Sequence, residues 1–283
     1  MANIGVIGWG FVGQATGNGF ATNKENKIFW YDKFKEESDT LDNVINSSEV
    51  IFVCVPTPIF EDYSGMDMSI VTEVVNEIAP KVQGSDKVIV IKSTVLPGVT
   101  QGFADKYKDV NFVMNPEFLT QKNANSDFLK PSRTVIGCTD KTVGEKIKSL
   151  YEGILPSDQK YFICDLTQAE ISKYMSNLML ASKVLLANEF YELSQVTNTD
   201  YAPIKEIVEA DPRIGTHLGV PGPDGDLGFG GACFPKDIVG LLGFARQKGV
   251  DMSALNEIWQ KNLKIRKNKD WEHMPSSFTS KKK

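Results

Sequence analysis

Apolar residues fall into short, dense runs separated by longer amphipathic or polar stretches. The runs Ile4–Ile7, Lys27–Tyr31, Val50–Val55, Lys87–Lys92, Asn111–Met114 and Thr134–Gly137 are rich in β-branched residues. Their length and continuous apolarity predict strands buried on both faces of a parallel sheet. Between them, Gly13–Thr22, Ser69–Val82 and Thr142–Tyr151 have helical character. Such a β-α-β alternation, closed by right-handed crossovers, predicts an α/β domain with a doubly wound sheet.

Past about residue 160 the pattern changes. Leu166 to Val196 reads as one long helix with Thr167 as its N-cap, and Ile238–Lys248 and Ser253–Lys269 read as two more. Between these helices lies DPRIGTHLGVPGPDGDLGFGGACFPKD, dense in Gly and Pro, and a long loop inside a compact domain usually serves a function. The chain therefore divides into a sheet domain over residues 1–160, a mostly helical domain over 161–270, and a tail over 271–283 predicted to lack fixed structure.

At 283 residues and 41% hydrophobic, the chain suffices for two cores. A formal net charge of −5 argues against a protein whose main task is gripping nucleic acid or an anionic membrane. Cys54, Cys138, Cys164 and Cys233 show no CxxC spacing, so neither a zinc site nor a disulfide framework is suggested, and a reducing compartment fits best. The amino terminus enters an apolar strand without the basic and apolar regions of a secretory signal, and no apolar run reaches the ~18 residues of a membrane span. These features predict a cytoplasmic protein.

Gly8-Trp9-Gly10-Phe11-Val12-Gly13 follows the first strand and opens a helix, the context that a dinucleotide fingerprint requires. Gly8 permits the tight turn, Gly10 lets backbone approach a pyrophosphate, and Gly13 allows close helix–sheet packing. Asp32 ends the second strand, about 20 residues past the glycines, where a carboxylate accepts from a ribose 2′-hydroxyl and repels a 2′-phosphate. Either feature alone is an ordinary turn or strand end. Their register predicts a Rossmann-type domain binding NAD rather than NADP.

Four further motifs follow in order: VCVPTP at Val53–Pro58, KSTVLPG at Lys92–Gly98, NPEFL at Asn115–Leu119 and GFGGACFPKD at Gly228–Asp237. With the fingerprint, they make the chain resemble the UDP-glucose/GDP-mannose dehydrogenase family over about residues 1–270. The resemblance implies four-electron oxidation of a sugar-nucleotide C6 alcohol to a carboxylate, UDP-glucose to UDP-glucuronate foremost, in polysaccharide biosynthesis. It also implies a compact member, expected to lack the family's carboxy-terminal nucleotide-holding domain and shortened between Asp32 and Ser48.

Such an oxidation sends out two hydrides and must hold an aldehyde between them. A cysteine does this by forming a thiohemiacetal that becomes a thioester. A lone Cys is usually a small buried hydrophobe, and Cys54, Cys138 and Cys164 are read that way. Cys233 differs, because the glycine-rich loop is predicted to enter a helix there; Pro235 suits the first turn, and helix-terminal N–H groups with Lys236 favour a thiolate. Asp237 would orient or accept protons.

Lys173 and Asn177, spaced i and i+4, match the family's catalytic lysine in a KxxxN helix, with Lys173 stabilising a developing alkoxide. Glu117 and Thr94 resemble the pair that positions water and the reacting hydroxyl. The resemblance further implies cofactor contacts from Phe11, Val12, Pro56, Thr57, Thr94, Glu117 and Lys236. Substrate contacts are implied from Phe118, Leu119, Lys173, Asn177, Arg213, Phe229 and Gly230, with no metal. Gln121 stands where the family commonly carries a second glutamate and cannot serve as a base.

Arg213 matches an arginine that reaches a neighbouring subunit's phosphates, implying a homodimer through the second domain. Within that domain the Ser253–Lys269 segment retains Leu255, Ile258, Trp259, Leu263 and Ile265 for such an interface. Two other readings stay open: a one-step hydroxyacid dehydrogenase, which has no need of Cys233, and a catalytically degenerate NAD-binding or assembly module.

Overall fold

In the computed structural model, which describes residues 2–274, 277 and 278, the apolar runs become the strands of one sheet. These are β1 (Asn3–Ile7), β2 (Lys27–Tyr31), β3 (Val50–Val53), β4 (Val88–Ile91), β5 (Asn111–Met114), β6 (Thr134–Cys138) and β7 (Tyr161–Cys164). Their order is β2-β1-β3-β4-β5-β6-β7. Every residue of β3 and β4 is buried, as continuous apolar runs between two helical layers must be. Ile7 pairs with Val53, Val53 with Ile91, and Ile91 with Met114, so the carboxyl ends of β1, β3, β4 and β5 finish level. Four loops therefore leave from one edge of the sheet, where α/β folds place ligands.

One expectation needs correction. β6 runs antiparallel to β5, pairing Val113 with Cys138 and Met114 with Gly137, while β7, absent from the predicted strands, is parallel to β6. A continuous apolar run has the same pattern whichever way it points. Here the link from Asn115 to Arg133 holds only a 3-10 turn (Gln121–Asn123) and α5 (Ala124–Leu129), and the chain re-enters the sheet from the edge it left.

On one face pack α2 (Leu41–Ser47), α3 (Ser69–Val82) and α4 (Val99–Lys106), burying Ile45, Ile78 and Phe103. The other face carries α1 (Phe11–Phe20), α5 and α6 (Lys141–Glu152), with Phe20, Phe128, Ile147 and Tyr151 in its core. The sheet is thus doubly wound. Residues up to Thr57, together with Met68–Lys173, form this first compact unit.

The second unit comprises Pro58–Asp67 and the described residues from Tyr174 onward, so a short excursion after β3 belongs to it. α7 (Leu166–Val196) starts in the first unit. Its cap is not Thr167: Asp165 Oδ1 accepts from Gln168 N–H (2.7 Å) while Gln168 Oε1 accepts from Asp165 N–H (3.2 Å), a reciprocal capping box. α8 (Tyr201–Glu209), α9 (Phe234–Lys248) and α10 (Ser253–Ile265) complete the helices. Among the described residues no helix is long and apolar enough to cross a membrane.

The tail expected from residue 271 begins instead with order. Trp271, 1% exposed in a 3-10 turn (Asp270–Glu272), packs its ring 5.7 Å from that of Trp259 and donates to the Tyr63 hydroxyl at 3.3 Å. A single Trp in a polar segment leaves no periodicity, yet its large apolar area suffices to anchor the segment. The rest of that expectation falls on residues 275, 276 and 279–283, outside the described residues. Trp271→Ala is expected to cost about 3–5 kcal/mol in a urea melt. A loss below about 0.5 kcal/mol, the level of a surface change, would restore the reading of a tail.

Candidate active site

The turn after β1 is fixed by close backbone approach. Gly8 has φ +91°, and a Cβ there would stand 2.6 Å from the Cys54 carbonyl oxygen; a Cβ on Gly13 would stand 1.9 Å from that of Gly8. Gly10, the N-cap of α1, has nothing within 4 Å of where its Cβ would lie. Asp32 sits against this turn, accepting from Trp9 N–H at 2.7 Å and Phe34 N–H at 3.0 Å. Phe11 and Val12 open α1, whose first turn carries no acidic residue to oppose an anion. Pro56 is exposed and Thr57 buried beyond β3. Ser93, beside the buried Thr94, donates to the Val55 carbonyl at 2.7 Å and ties the β3 and β4 loops together. Open space over Gly10, an undiluted helix N-terminus and a fixed carboxylate at Asp32 fit a dinucleotide.

The link after β5 holds the second group. Glu117 is 7% exposed; its Oε1 accepts from Lys173 Nζ at 2.9 Å and its Oε2 from Leu119 N–H at 2.6 Å. The Phe118 ring lies 5.4 Å from the Lys173 ammonium and 3.8 Å from the Arg133 guanidinium. Phe118, Leu119, Glu117 and Arg133 line a cavity of about 260 Å³.

Lys92 lines the same cavity, and sequence reasoning gave it no role. It donates to Asn115 Oδ1 at 2.9 Å, and burial pushes its ammonium down to about 8. Glu170, also missed, is fully buried and accepts from Gly98 N–H (2.6 Å) and Thr100 N–H (2.8 Å), capping α4; burial raises its pKa. The available signal was a charge set at the end of an apolar run in one case and on the apolar face of a helix in the other.

In the second unit Cys233 is the N-cap of α9, with Pro235 in the first turn, so the helix starts earlier than its apolar periodicity suggests. Asp237, one turn on and fully buried, accepts from Asn177 Nδ2 at 2.6 Å and Lys236 Nζ at 2.7 Å. Phe229 is buried, and its N–H and carbonyl both bond the Asn262 side chain, at 2.8 and 3.0 Å. Arg213 stands elsewhere, 87% exposed and paired with Asp211 at 2.6 Å. Gln121 is exposed. Burial pushes the Cys54 thiol up to about 12 and raises those of Cys138 and Cys164, as suits packing residues.

Residues 32–155 match the NAD binding domain of the UDP-glucose/GDP-mannose dehydrogenase family, and residues 167–264 match its central domain. The fold and the fingerprint define an NAD-binding α/β protein with a helical second unit. The chain belongs to the UDP-glucose/GDP-mannose dehydrogenase family. It is 34% identical over 227 residues to UDP-glucose 6-dehydrogenase of Pseudomonas aeruginosa, covering 77% of this chain and 49% of that one. The chain spans about half the length of the curated relatives it matches. A UDP-glucose dehydrogenase structure from Pyrobaculum islandicum superposes with a TM-score of 0.83 at 26% identity, over 93% of this chain and 68% of that one. A 3-hydroxyisobutyrate dehydrogenase of Mycobacterium tuberculosis shares the fold at 14% identity and a TM-score of 0.74, over 93% of each chain.

Lys92 yields a pH prediction. Its ammonium is disfavoured in the folded chain relative to the ordinary 10.5, so the destabilisation is fully present below about 8 and fades as pH rises toward 10.5. Relative to Lys92→Met, the wild type should gain roughly 3 kcal/mol between pH 7 and pH 10.5, measured by urea melts of both proteins. Parallel pH profiles would contradict the assignment.

Proposed function

We propose that the chain is an NAD-dependent nucleotide-sugar dehydrogenase that oxidises a sugar C6 alcohol to a carboxylate, with UDP-glucose as the substrate and Cys233 as the nucleophile. One observation carries this reading. Cys233 caps α9, and one turn later a buried Asp237 is held by Asn177 and Lys236, so a thiol at a helix N-terminus has an oriented carboxylate beside it in the chain.

NAD, when bound, accepts the two hydrides. Lys173, one helical turn before Asn177, stabilises the first alkoxide, and its pairing with Glu117 gives its proton a nearby acceptor. The Cys233 thiolate adds to the aldehyde carbon, and loss of the second hydride leaves a thioester. Water attacks it, placed by Glu117 and Thr94, and releases the acid and the thiol. In sum, one alcohol, two NAD⁺ and one water give one carboxylate, two NADH and three protons. The cysteine spacing, which suggests no disulfide framework, supports a reducing, cytoplasmic setting.

For the dimer the reading moves to another helix. On α10 Trp259 is only 3% exposed, its surface already used within the chain. α7 instead exposes Ile171, Met175, Met179, Leu186, Phe190 and Leu193. Ile171 and Leu193 are equally spaced about Ser182, and Met179–Leu186 and Met175–Phe190 nearly so. A stripe symmetric about a small residue suits a second copy crossing antiparallel on a two-fold axis.

The assay follows NADH with UDP-glucose, GDP-mannose and small hydroxyacids. Two NADH per acid are expected, with product acid reduced at least 1,000-fold in Cys233→Ser, of the order seen when a covalent nucleophile is removed. One NADH per turnover and an indifferent variant would establish one-step chemistry instead. For the dimer, Phe190→Asp is expected to halve the mass seen by light scattering while circular dichroism is unchanged; an unaltered mass would reject α7 as the interface.

A further inference from the structure

The glycine-rich loop before Cys233 is laced to the carboxyl end of α10 and the segment after it. Asn262, Arg266 and Asp270, four residues apart, engage Leu227, Phe229 and Gly231, two residues apart. Asn262 bonds the Phe229 N–H and carbonyl. Arg266 donates to the Leu227 carbonyl at 3.3 Å, and Asp270 accepts from Gly231 N–H at 3.1 Å through both oxygens. Arg266, its side chain 2% exposed, also pairs with Asp224 and with Asp270.

The fit leaves no room for side chains. A Cβ on Gly228 would stand 2.3 Å from Asn262 Oδ1, and one on Gly230 2.2 Å from the Arg266 guanidinium and 2.3 Å from Asp270 Oδ1. The glycines therefore accommodate this lacing as well as the turn. A buried cation is thus held between two carboxylates, one of which grips Gly231 two residues upstream of the helix-capping thiol, and the trio sets both the loop's path and the local potential.

We infer that Arg266 and Asp270 are positioning residues for Cys233, holding the loop that presents the thiol and tuning the charge around it; the inference rests on Cys233 as the proposed nucleophile. Arg266 bears the positive charge and Asp270, at the Gly231 N–H, one of the two balancing negative charges. With Asp224 the trio carries one net negative charge, so removing Asp270 makes it neutral, while removing Arg266 leaves two uncompensated carboxylates on the loop that leads to the thiol.

The test reads thiol chemistry rather than turnover. Iodoacetamide alkylation of Cys233 is followed against pH by peptide mass spectrometry in the full chain, for wild type, Asp270→Asn and Arg266→Gln. Loss of the carboxylate should lower the pH midpoint and speed alkylation at pH 7 by roughly threefold to tenfold. Loss of the guanidinium should raise the midpoint and slow the reaction by a similar factor. Mere loosening of the loop would move both variants the same way, so shifts of one sign, or none, overturn the inference. If Arg266→Gln does not fold, Arg266→Lys replaces it, keeping the positive charge while giving up the guanidinium's contacts: a midpoint held at the wild-type value is expected, and a shift in the direction of Asp270→Asn overturns the inference. If Cys233→Ser retains product acid, the catalytic reading fails, while the alkylation result still decides the role of the lacing.

Discussion

A carboxylate taken out of water must be fully partnered, and this constraint shapes both chemical groups of the molecule. Asp237 has no exposed surface, so Asn177 and Lys236 must converge on it, which fixes the first turn of α9 against α7. Glu117 is buried nearly as deeply and is satisfied by Lys173 and the Leu119 amide. Breaking either group by removing one partner strands a charge at a cost of about 3–5 kcal/mol. Structural necessity and chemical readiness thus coincide: two lysines, two amides and two carboxylates are oriented before any ligand arrives.

The backbone supplies the other half. Level carboxyl ends of β1, β3, β4 and β5 bring the fingerprint turn, the VCVPTP loop, the KSTVLPG loop and NPEFL to one sheet edge. The reversal at β6 lets the NPEFL segment double back over that edge, with Asn115 held by Lys92 and Tyr151 and in turn donating to the Val135 carbonyl. Propensity builds the strands, and the register gathers the motifs.

Much of this was legible in the sequence, and the exceptions have physical causes. β2, β5, α3 and α7 lie where apolar spacing puts them, since each is long or apolar enough for one period to dominate. β7 escaped because Tyr161–Cys164 is a short, half-exposed run, and α4 because Gly102 and its mixed polarity blur the helical period. Strand direction left no trace in β6. Motif residues such as Cys233, Asp237, Lys173 and Glu117 could be named, but their pairings could not, since Asn177 meets Asp237 across a sequence separation of 60. Lys92, Glu170 and Arg266 were missed because burial, which gives each its meaning, is a property of the fold, and Asp270 because its partners Arg266 and Gly231 are brought to it only by the fold.

The central claim is that Cys233 carries the substrate carbon between two oxidations. It is tested most directly by mass spectrometry of Glu117→Gln, in which hydrolysis should be slowed, after mixing with NAD and UDP-glucose. The account predicts a sugar-nucleotide acyl adduct on the peptide holding Cys233 and on no peptide holding Cys54, Cys138 or Cys164. Acid formed while the Cys233 peptide keeps its unmodified mass throughout would contradict it.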